Sequence, residues 1–236
     1  MKKNKKTSII LATCNRKNLA IQCVRSLYLT TRHLPIELIL VVDGDKETVE
    51  IIENFLEDKI TDEWNYKVDY SSTRRGAKDS WNIGLSISTG EIIVPTGDDQ
   101  LFYPNWLDFA LKTHESELGG YGMVALNDKI HNGTVLGTTV LYDRKFCIEH
   151  LGGVSIFPEY NHFYVDNEMN ERAKLANSYA WCKESIVEHI HPDVGKRQRD
   201  NIDYERIVNK WMSMDHKIFI KRKAMGFPND FKPMIK

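Results

Sequence analysis

The stretch Glu91-Ile92-Ile93-Val94-Pro95-Thr96-Gly97-Asp98-Asp99-Gln100 joins a short apolar run to two adjacent carboxylates. The apolar run is too short for a helix and is typical of a strand that is covered on both faces. Open α/β sheets bind their ligands at the carboxyl ends of such strands. Carboxylate oxygens placed there suit Mg²⁺ or Mn²⁺ carrying a phosphate-bearing substrate. Gly-Asp-Asp is also ordinary turn chemistry, so the stretch alone leaves a surface turn equally open.

The composition is that of a globular chain with balanced charge. Of 236 residues, 42% are hydrophobic, and 32 Lys and Arg face 33 Asp and Glu. This balance argues against a general polyanion binder. The apolar run after the Lys-rich start is too short for a signal peptide or a membrane span. The four cysteines lack metal-ligand spacing, which favours reduced thiols. We therefore predict a cytoplasmic protein, with peripheral contact at the inner face of the membrane left open.

Strand and helix signals alternate along the first half of the chain. Four strands are predicted, over residues 8–12, 37–42, 66–71 and 92–94, with helical spacing of apolar residues between them. Alternation at this pitch predicts an α/β fold with a mostly parallel sheet and right-handed crossovers. The second half is less regular: helices are predicted over 105–116, 166–178 and 201–212, and strands over 121–126, 135–141 and 185–191. No linker or repeat interrupts the chain, so we predict a single domain, 1–236.

Polar residues follow each of the four predicted strands of the first half. In chain order these are Thr13 and Asn15, then Asp43, then Arg74 to Lys78, and then Asp98 and Asp99. Because the carboxyl ends of parallel strands share one edge, these groups are expected to converge. A nucleotide needs a polar slot for its base, an acceptor for base or ribose, and a cation for its diphosphate. The predicted edge offers all three.

Several motifs in this order resemble those of the family 2 glycosyltransferases, which have the GT-A fold. They are Ser8 to Arg16, Leu40 to Asp45, Asn82-Ile83-Gly84-Leu85, Thr89-Gly90-Glu91, and Thr96-Gly97-Asp98-Asp99 in the place of an Asp-x-Asp motif. The resemblance implies an open, mostly parallel sheet flanked by helices, with a smaller mixed sheet on the acceptor side. It also implies a nucleotide-sugar-binding half (6–115), an acceptor and catalytic half (116–200) and a basic helical tail (201–236).

The resemblance assigns the donor site residue by residue. The donor-binding residues would be Thr13, Asn15, Arg16, Asp43, Gly76, Lys78 and Asp98. Asp99 would bind the metal, as Mn²⁺ or Mg²⁺. Trp81 stands where the family usually carries an Arg that contacts the diphosphate, and Arg74, Arg75 or Lys78 could substitute for it.

Two features of the second half would complete the site by the same resemblance. Val165-Asp166-Asn167-Glu168-Met169 stands in the place of the family's Glu-Asp-x-Glu-Leu pattern, which makes Asp166 the catalytic base. The alternative is that Asp166 caps a helix. His189 and His191 lie two apart on a predicted strand, and one of them would be a further metal ligand, with His191 preferred because a loop begins there. The alternative is a surface histidine pair. Lys196, Arg197 and Arg199 could then cap the diphosphate.

The sequence therefore predicts an inverting, metal-dependent glycosyltransferase that uses a nucleotide sugar, most simply UDP-linked, and a carbohydrate or other hydroxyl acceptor. Three alternatives stay open. A nucleotidyltransferase would use similar carboxylates, although Thr13 to Arg16 contains no glycine for a phosphate loop. A nucleotide-sugar-binding protein without activity is the second. The third is transfer to a nucleic-acid base, which the net charge of −1 does not favour.

Overall fold

The computed structural model describes residues 5–198 and 202–236, with the backbone alone for 202–209. The strands are β1 (Thr7–Cys14), β2 (Ile36–Asp43), β3 (Trp64–Ser71), β4 (Ile92–Gly97), β5 (Gln100–Phe102), β6 (Met123–Asn127), β7 (Val140–Asp143) and β8 (Tyr179–His189). The helices are α1 (Lys17–Thr31), α2 (Lys46–Leu56), α3 (Ala77–Ile87), α4 (Trp106–Leu118), α5 (Arg144–His150), α6 (Val165–Leu175) and α7 (Ile202–Ala224).

The strands form one mixed sheet in the order β3-β2-β1-β4-β7-β6-β8-β5. The first four positions are parallel, and their register aligns Asp43 of β2 with both Cys14 and Ser71. Gly97 of β4 aligns with Ala12 of β1. β7 and β5 run antiparallel to their neighbours, whereas β8 is parallel to β6. The predicted α/β fold with a mostly parallel sheet is confirmed, and the carboxyl ends of β1 to β4 lie along one edge.

Two apolar layers cover the two faces of the sheet. Alternate side chains of β1 and β2 enter different layers, since Ile9 and Leu11 pack with α1 and α2 while Ile10 packs with α3 and α6. Gly84 lets α3 lie close on β1, because a Cβ atom there would stand 2.2 Å from Cγ2 of Ile10. Burial on both faces explains why these strands are continuous apolar runs.

The second half departs from the predicted boundaries. Residues 135–139, predicted as strand, form a loop before β7, and Val135 is 70% exposed. α6 ends at Leu175, and β8 begins at Tyr179, six residues before its predicted start. α7 extends to Ala224, twelve residues beyond the predicted helix. Among the described residues, no helix has both the length and the apolar character needed to cross a membrane.

Candidate active site

Asp98 lies at the end of β4 and is only 4% exposed. Thr13 Oγ1 donates a hydrogen bond to its Oδ2 at 2.7 Å, and Arg16 Nη1 donates to its Oδ1 at 3.1 Å. Burial raises the pKa of Asp98; the charge of Arg16 opposes this and that of Asp99 adds to it. The structure thus brings together three of the predicted donor-binding residues, whose role in binding stays a prediction.

Asp99 meets three cationic or titratable side chains. Its Oδ1 lies 3.4 Å from Nε2 of His189, and its Oδ2 lies 3.5 Å from Arg16 and 3.3 Å from Arg197. Burial alone would raise the pKa of Asp99, but the hydrogen bond and charge of His189, with the two arginines, lower it to about 2. Asp99 is therefore ionised at any pH near neutrality, and its role as a metal ligand stays a prediction.

His189 and His191 stand at the end of β8 with their ring centroids 5.0 Å apart. It is His189, not the preferred His191, that touches Asp99. Nδ1 of His191 accepts a hydrogen bond from the backbone N–H of Asp193, in a 3₁₀ turn over Pro192–Val194. Among the described side chains, no group of three or more His, Cys, Asp or Glu is arranged to hold a metal ion. A cation at Asp99 would thus need substrate oxygens to complete its shell, which is how Mg²⁺ commonly binds.

Asp43 is buried at the end of β2 and organises the loop before α3. Its Oδ2 accepts from the backbone N–H of Arg75 at 2.7 Å and of Gly76 at 3.1 Å, and from Ser80 Oγ at 3.3 Å. Its Oδ1 accepts from Nε of Arg75 at 2.8 Å. Gly76 has φ +96°, a conformation that glycine adopts readily. Oδ1 of Asp43 keeps capacity for one more donor, such as a nucleotide base or ribose.

The other predicted donor-binding residues lie around this edge. Asn15 has φ +54°, and its side chain packs against Gly44, next to Asp43. Lys78 reaches across the cleft, and its Nζ donates to the carbonyl of Pro158 at 3.2 Å. The indole N–H of Trp81 donates to the carbonyl of Thr96 at 2.8 Å, which fixes the ring beneath the end of β4.

Of the three side chains considered as substitutes for an arginine at Trp81, two are engaged elsewhere. Arg75 pairs with Asp43 and Asp69, and Lys78 is bound to Pro158. Arg74 is exposed, and its charge acts on His162 at the site. Arg74 is thus the best-placed substitute.

The loop after β8 returns over the acidic pair. Arg197 donates from Nε to the carbonyl of Ile190 at 3.0 Å and pairs with Asp99, while Lys196 pairs with Glu188 at 2.9 Å. Of the three predicted diphosphate-capping cations, Arg197 thus faces the site directly. Arg199 lies outside the described residues.

Asp166 is the second residue of α6 and does not cap it. The N-cap position belongs to Tyr164, which has φ +62° and no capping side-chain bond. Oδ1 of Asp166 accepts from the backbone N–H of Asn167 at 2.9 Å. Burial raises the pKa of Asp166, although part of the residue stays open to solvent, and the Asn167 hydrogen bond and His131 oppose the rise. A carboxylate with a raised pKa is suited to general-base work.

Sequence reasoning missed a clamp on the loop before α6. Asp215 of α7 is fully buried and accepts hydrogen bonds from the backbone N–H groups of Asn161, His162 and Phe163, and from the side chain of Asn161, at 2.8–3.2 Å. Burial lowers the pKa of His162, while the charges of Asp215 and Asp99 oppose this, so His162 lies within electrostatic reach of the acidic pair. No local pattern could reveal a partner more than 50 residues away.

A buried ionic cluster fixes α6 itself. Glu168, fully buried, accepts hydrogen bonds from Arg172, from Arg222 of α7 and from the hydroxyl of Tyr160, all at 2.7–2.9 Å. Satisfied on both oxygens, Glu168 ties the helix that carries Asp166 to α7.

Comparison with solved structures finds the same fold in nucleotide-sugar enzymes. The mannosyltransferase PcManGT of Pyrobaculum calidifontis, solved with GDP-Man and Mn²⁺, matches with a TM-score of 0.64 and 18% identity, over 83% of this chain and 59% of that one. S. aureus TarS 1–349 in complex with UDP-GlcNAc matches with a TM-score of 0.62 and 17% identity, over 77% and 57%. The chain therefore spans less than two thirds of these solved proteins.

Comparison of sequences gives relatives and a family. Glycosyltransferase GlyG of Streptococcus pneumoniae serotype 4 (strain ATCC BAA-334 / TIGR4) is 22% identical over 228 residues, which are 93% of this chain and 71% of GlyG. An uncharacterized glycosyltransferase of Rickettsia bellii (strain RML369-C) is 32% identical over 111 residues, 47% of this chain and 15% of the relative. The sequence model described as glycosyl transferase family 2 matches residues 8–142, more than half of the chain. The chain is thus a glycosyltransferase with the GT-A fold and belongs to glycosyl transferase family 2.

Proposed function

We propose that the protein is an inverting, metal-dependent transferase that moves a sugar from a nucleotide-sugar donor, UDP-linked in the simplest case, to a hydroxyl acceptor. The observation that carries this proposal is the meeting of Asp99 with His189 and Arg197 at the end of β4, in the same cleft edge as Asp98. Solved relatives hold GDP-Man with Mn²⁺, or UDP-GlcNAc. Both donors carry a diphosphate, which the cationic side chains here would neutralise.

The donor set at Asp99 fits Mn²⁺, which accepts an imidazole nitrogen beside a carboxylate oxygen, whereas Mg²⁺ would rely on the carboxylate and on substrate oxygens. Asp99 and His189 would hold the ion, with His191 within reach of the same position. A bound divalent ion would supply Lewis-acid stabilisation of the departing nucleoside diphosphate. Arg16 and Arg197 add positive charge around that leaving group.

Asp166 is the candidate base for the acceptor. Its raised pKa favours proton uptake from a hydroxyl group in the transition state. That oxygen would attack the anomeric carbon on the face opposite the nucleotide, so the product would have inverted configuration. The proton then resides on the Asp166 carboxyl until it is lost to solvent.

The deciding experiment screens UDP-GlcNAc, other UDP-sugars and GDP-mannose for release of nucleotide, with Mn²⁺, Mg²⁺ or EDTA. We expect metal-dependent release by the wild type, a loss on the order of 100-fold in Asp99→Asn, and donor binding that survives in Asp166→Asn. The exposed Asp108→Asn is the matched control. Donor binding without any turnover would contradict catalysis, and pyrophosphate release from a nucleoside triphosphate would indicate a nucleotidyltransferase instead. Full activity in EDTA would contradict the proposed metal dependence.

A further inference from the structure

A further histidine, His131, is fixed between the two halves of the site by the loop of residues 128–139. At one end of this loop, the carbonyl of Asp128 accepts a hydrogen bond from the backbone N–H of His189 at 3.0 Å. His189 is the residue that touches Asp99. The loop therefore starts beside the acidic pair.

The other end of the loop is bound to the helix of the candidate base. The Asn170 side chain accepts from the N–H of Gly137 and donates to its carbonyl, both at 2.8 Å. The same Nδ2 donates to the backbone carbonyl of Asp166 at 2.7 Å. The loop thus spans from the diphosphate side of the cleft to the base, which is where an acceptor must lie.

Asp128 determines how His131 is presented. Asp128 is 1% exposed, and its Oδ1 accepts from the backbone N–H groups of Ile130 and His131 at 2.8 and 2.7 Å. Its Oδ2 accepts from the Thr138 hydroxyl and lies 2.7 Å from Nδ1 of His131. An ionised carboxylate only accepts hydrogen bonds, so Nδ1 of His131 must carry the proton. In the neutral ring, Nε2 is then an acceptor, on a side chain that is 40% exposed.

We propose that His131 is an acceptor-binding residue, whose Nε2 accepts a hydrogen bond from a hydroxyl group of the acceptor beside Asp166. The proposal rests on the proposed transferase function. The ligand class is a polyol, such as a carbohydrate: one hydroxyl donates a hydrogen bond to His131, and a neighbouring hydroxyl gives its proton to Asp166 and presents its oxygen to the anomeric carbon. Water, with two protons, can donate to both side chains. His131 and Asp128 both lie within electrostatic reach of Asp166, in keeping with this arrangement. Asp128 is a positioning residue, because it acts through His131.

The test uses the full chain with Mn²⁺ and with UDP-GlcNAc or GDP-mannose as donor. Water is the first acceptor, and a panel of p-nitrophenyl glycosides is the second. His131→Ala is expected to lower kcat about tenfold, the equivalent of one hydrogen bond, while the donor KM changes by less than about twofold. For any glycoside that is used, its KM should rise. His131→Gln, which keeps a polar group near Nε2, should recover most of the rate.

Asp128→Asn provides an independent variant. Its amide can donate to Nδ1 and so favours the opposite tautomer, in which Nε2 carries the proton and no longer accepts. We expect Asp128→Asn to lower kcat as His131→Ala does. In the wild type, long-range ¹H–¹⁵N spectra should show the proton of His131 on Nδ1, and a proton on Nε2 would contradict the proposal without any activity assay.

The matched control is His33→Ala, which breaks an exposed histidine–aspartate pair with Asp108 far along the chain from this loop. It should leave kcat and both KM values unchanged. If the wild type is active and His131→Ala has the same kcat, this inference is overturned and the proposed function stands. A rise in donor KM that accounts for the whole loss would also overturn it. A wild type that turns over neither donor would overturn the proposed function and this inference with it.

Discussion

Nε2 of His189, the last residue of β8, lies 3.4 Å from Oδ1 of Asp99, so a side chain of the second half completes the acidic site of the first. The neighbouring His191 is turned toward Asp193 instead. The two histidines therefore differ in their contacts, and substituting each in turn shows which of them supports metal binding.

His189→Ala is expected to raise the Mn²⁺ concentration for half-maximal nucleotide release by about 10–100-fold, the range typical when a group supporting a metal is lost. His191→Ala should have a smaller effect, because Nδ1 of His191 accepts a hydrogen bond from the backbone of Asp193, whereas His189 pairs with Asp99. The measurement is a metal titration of donor turnover for both variants. Equal effects of the two substitutions, or a larger effect at His191, would contradict the assignment.

Asp166→Asn should lower the transfer activity and raise the stability of the protein. A general base supplies a factor on the order of 10²–10⁴, so transfer should fall by at least about 100-fold. Because the pKa of Asp166 is raised by folding, the folded state binds more protons than the unfolded state as this group titrates, and its ionisation lowers stability as pH rises through that interval. Asparagine removes this penalty, so Tm at neutral pH should rise.

The titration of Asp166 also predicts an acid limb in the pH profile of kcat. In the wild type, kcat should decline as pH falls through the raised pKa of Asp166, at a higher pH than an ordinary aspartate would give. Asp99, whose pKa is about 2, stays ionised throughout that interval. The limb should disappear from the residual activity of Asp166→Asn, and its persistence there would assign it to another group, such as Asp98, whose pKa burial also raises.

Asp215→Ala leaves three backbone N–H groups and one amide without their acceptor. The free energy of unfolding should fall by about 2 kcal/mol or more, since an unpaired buried donor costs about 1–3 kcal/mol. The backbone of the loop just before Asp166 is then no longer held in place, so kcat should drop too. Urea unfolding and donor turnover measure the two effects. Lys217→Ala, an exposed change on the same helix, should alter neither, and an unaffected kcat in Asp215→Ala would show that the loop does not need its clamp.

Glu168→Gln removes the charge that Arg172 and Arg222 share. Breaking one side of a buried ionic cluster costs about 3–5 kcal/mol, because the remaining charges lose their partner. Chemical denaturation should show this loss. Glu171→Gln, which weakens only the exposed pair with Lys223 on the same two helices, should change stability by less than about 1 kcal/mol. Similar values for the two variants would mean that the cluster contributes no more than a surface pair.

The parallel half of the sheet was predictable because its signals are local. β1, β2 and β4 are short apolar runs buried on both faces, whereas β3 is a partly exposed edge strand. Polar residues such as Asp43 and Asp98 stand at the shared edge. The approach of Thr13 to Asp98 could be predicted because the carboxyl ends of parallel strands share one edge, whereas Arg16 was assigned to the donor site by the family resemblance.

The acceptor half was less predictable because tertiary contacts override its local pattern. Residues 135–139 have the apolar character of a strand, yet the side chain of Asn170 binds both backbone groups of Gly137 and holds them in a loop. The pairing of Asp128 with His131 was not predicted, and Asp128 is held in place by the backbone N–H of His189 at the end of β8. The role of Asp215 could not be predicted from local sequence either, since its partners precede it by 52–54 residues.

The hydrogen bonds that Asp215 makes to the loop before α6 also impose an order on folding during synthesis of the chain. The parallel strands of the donor edge, β1 to β4, all lie within the first hundred residues and so leave the ribosome first. The loop before Asp166 cannot be fixed until α7 has left the ribosome and docked. A nascent chain would therefore hold Asp43, Asp98 and Asp99 before it holds His189 or a working acceptor side, which delays turnover until synthesis of the helix is finished.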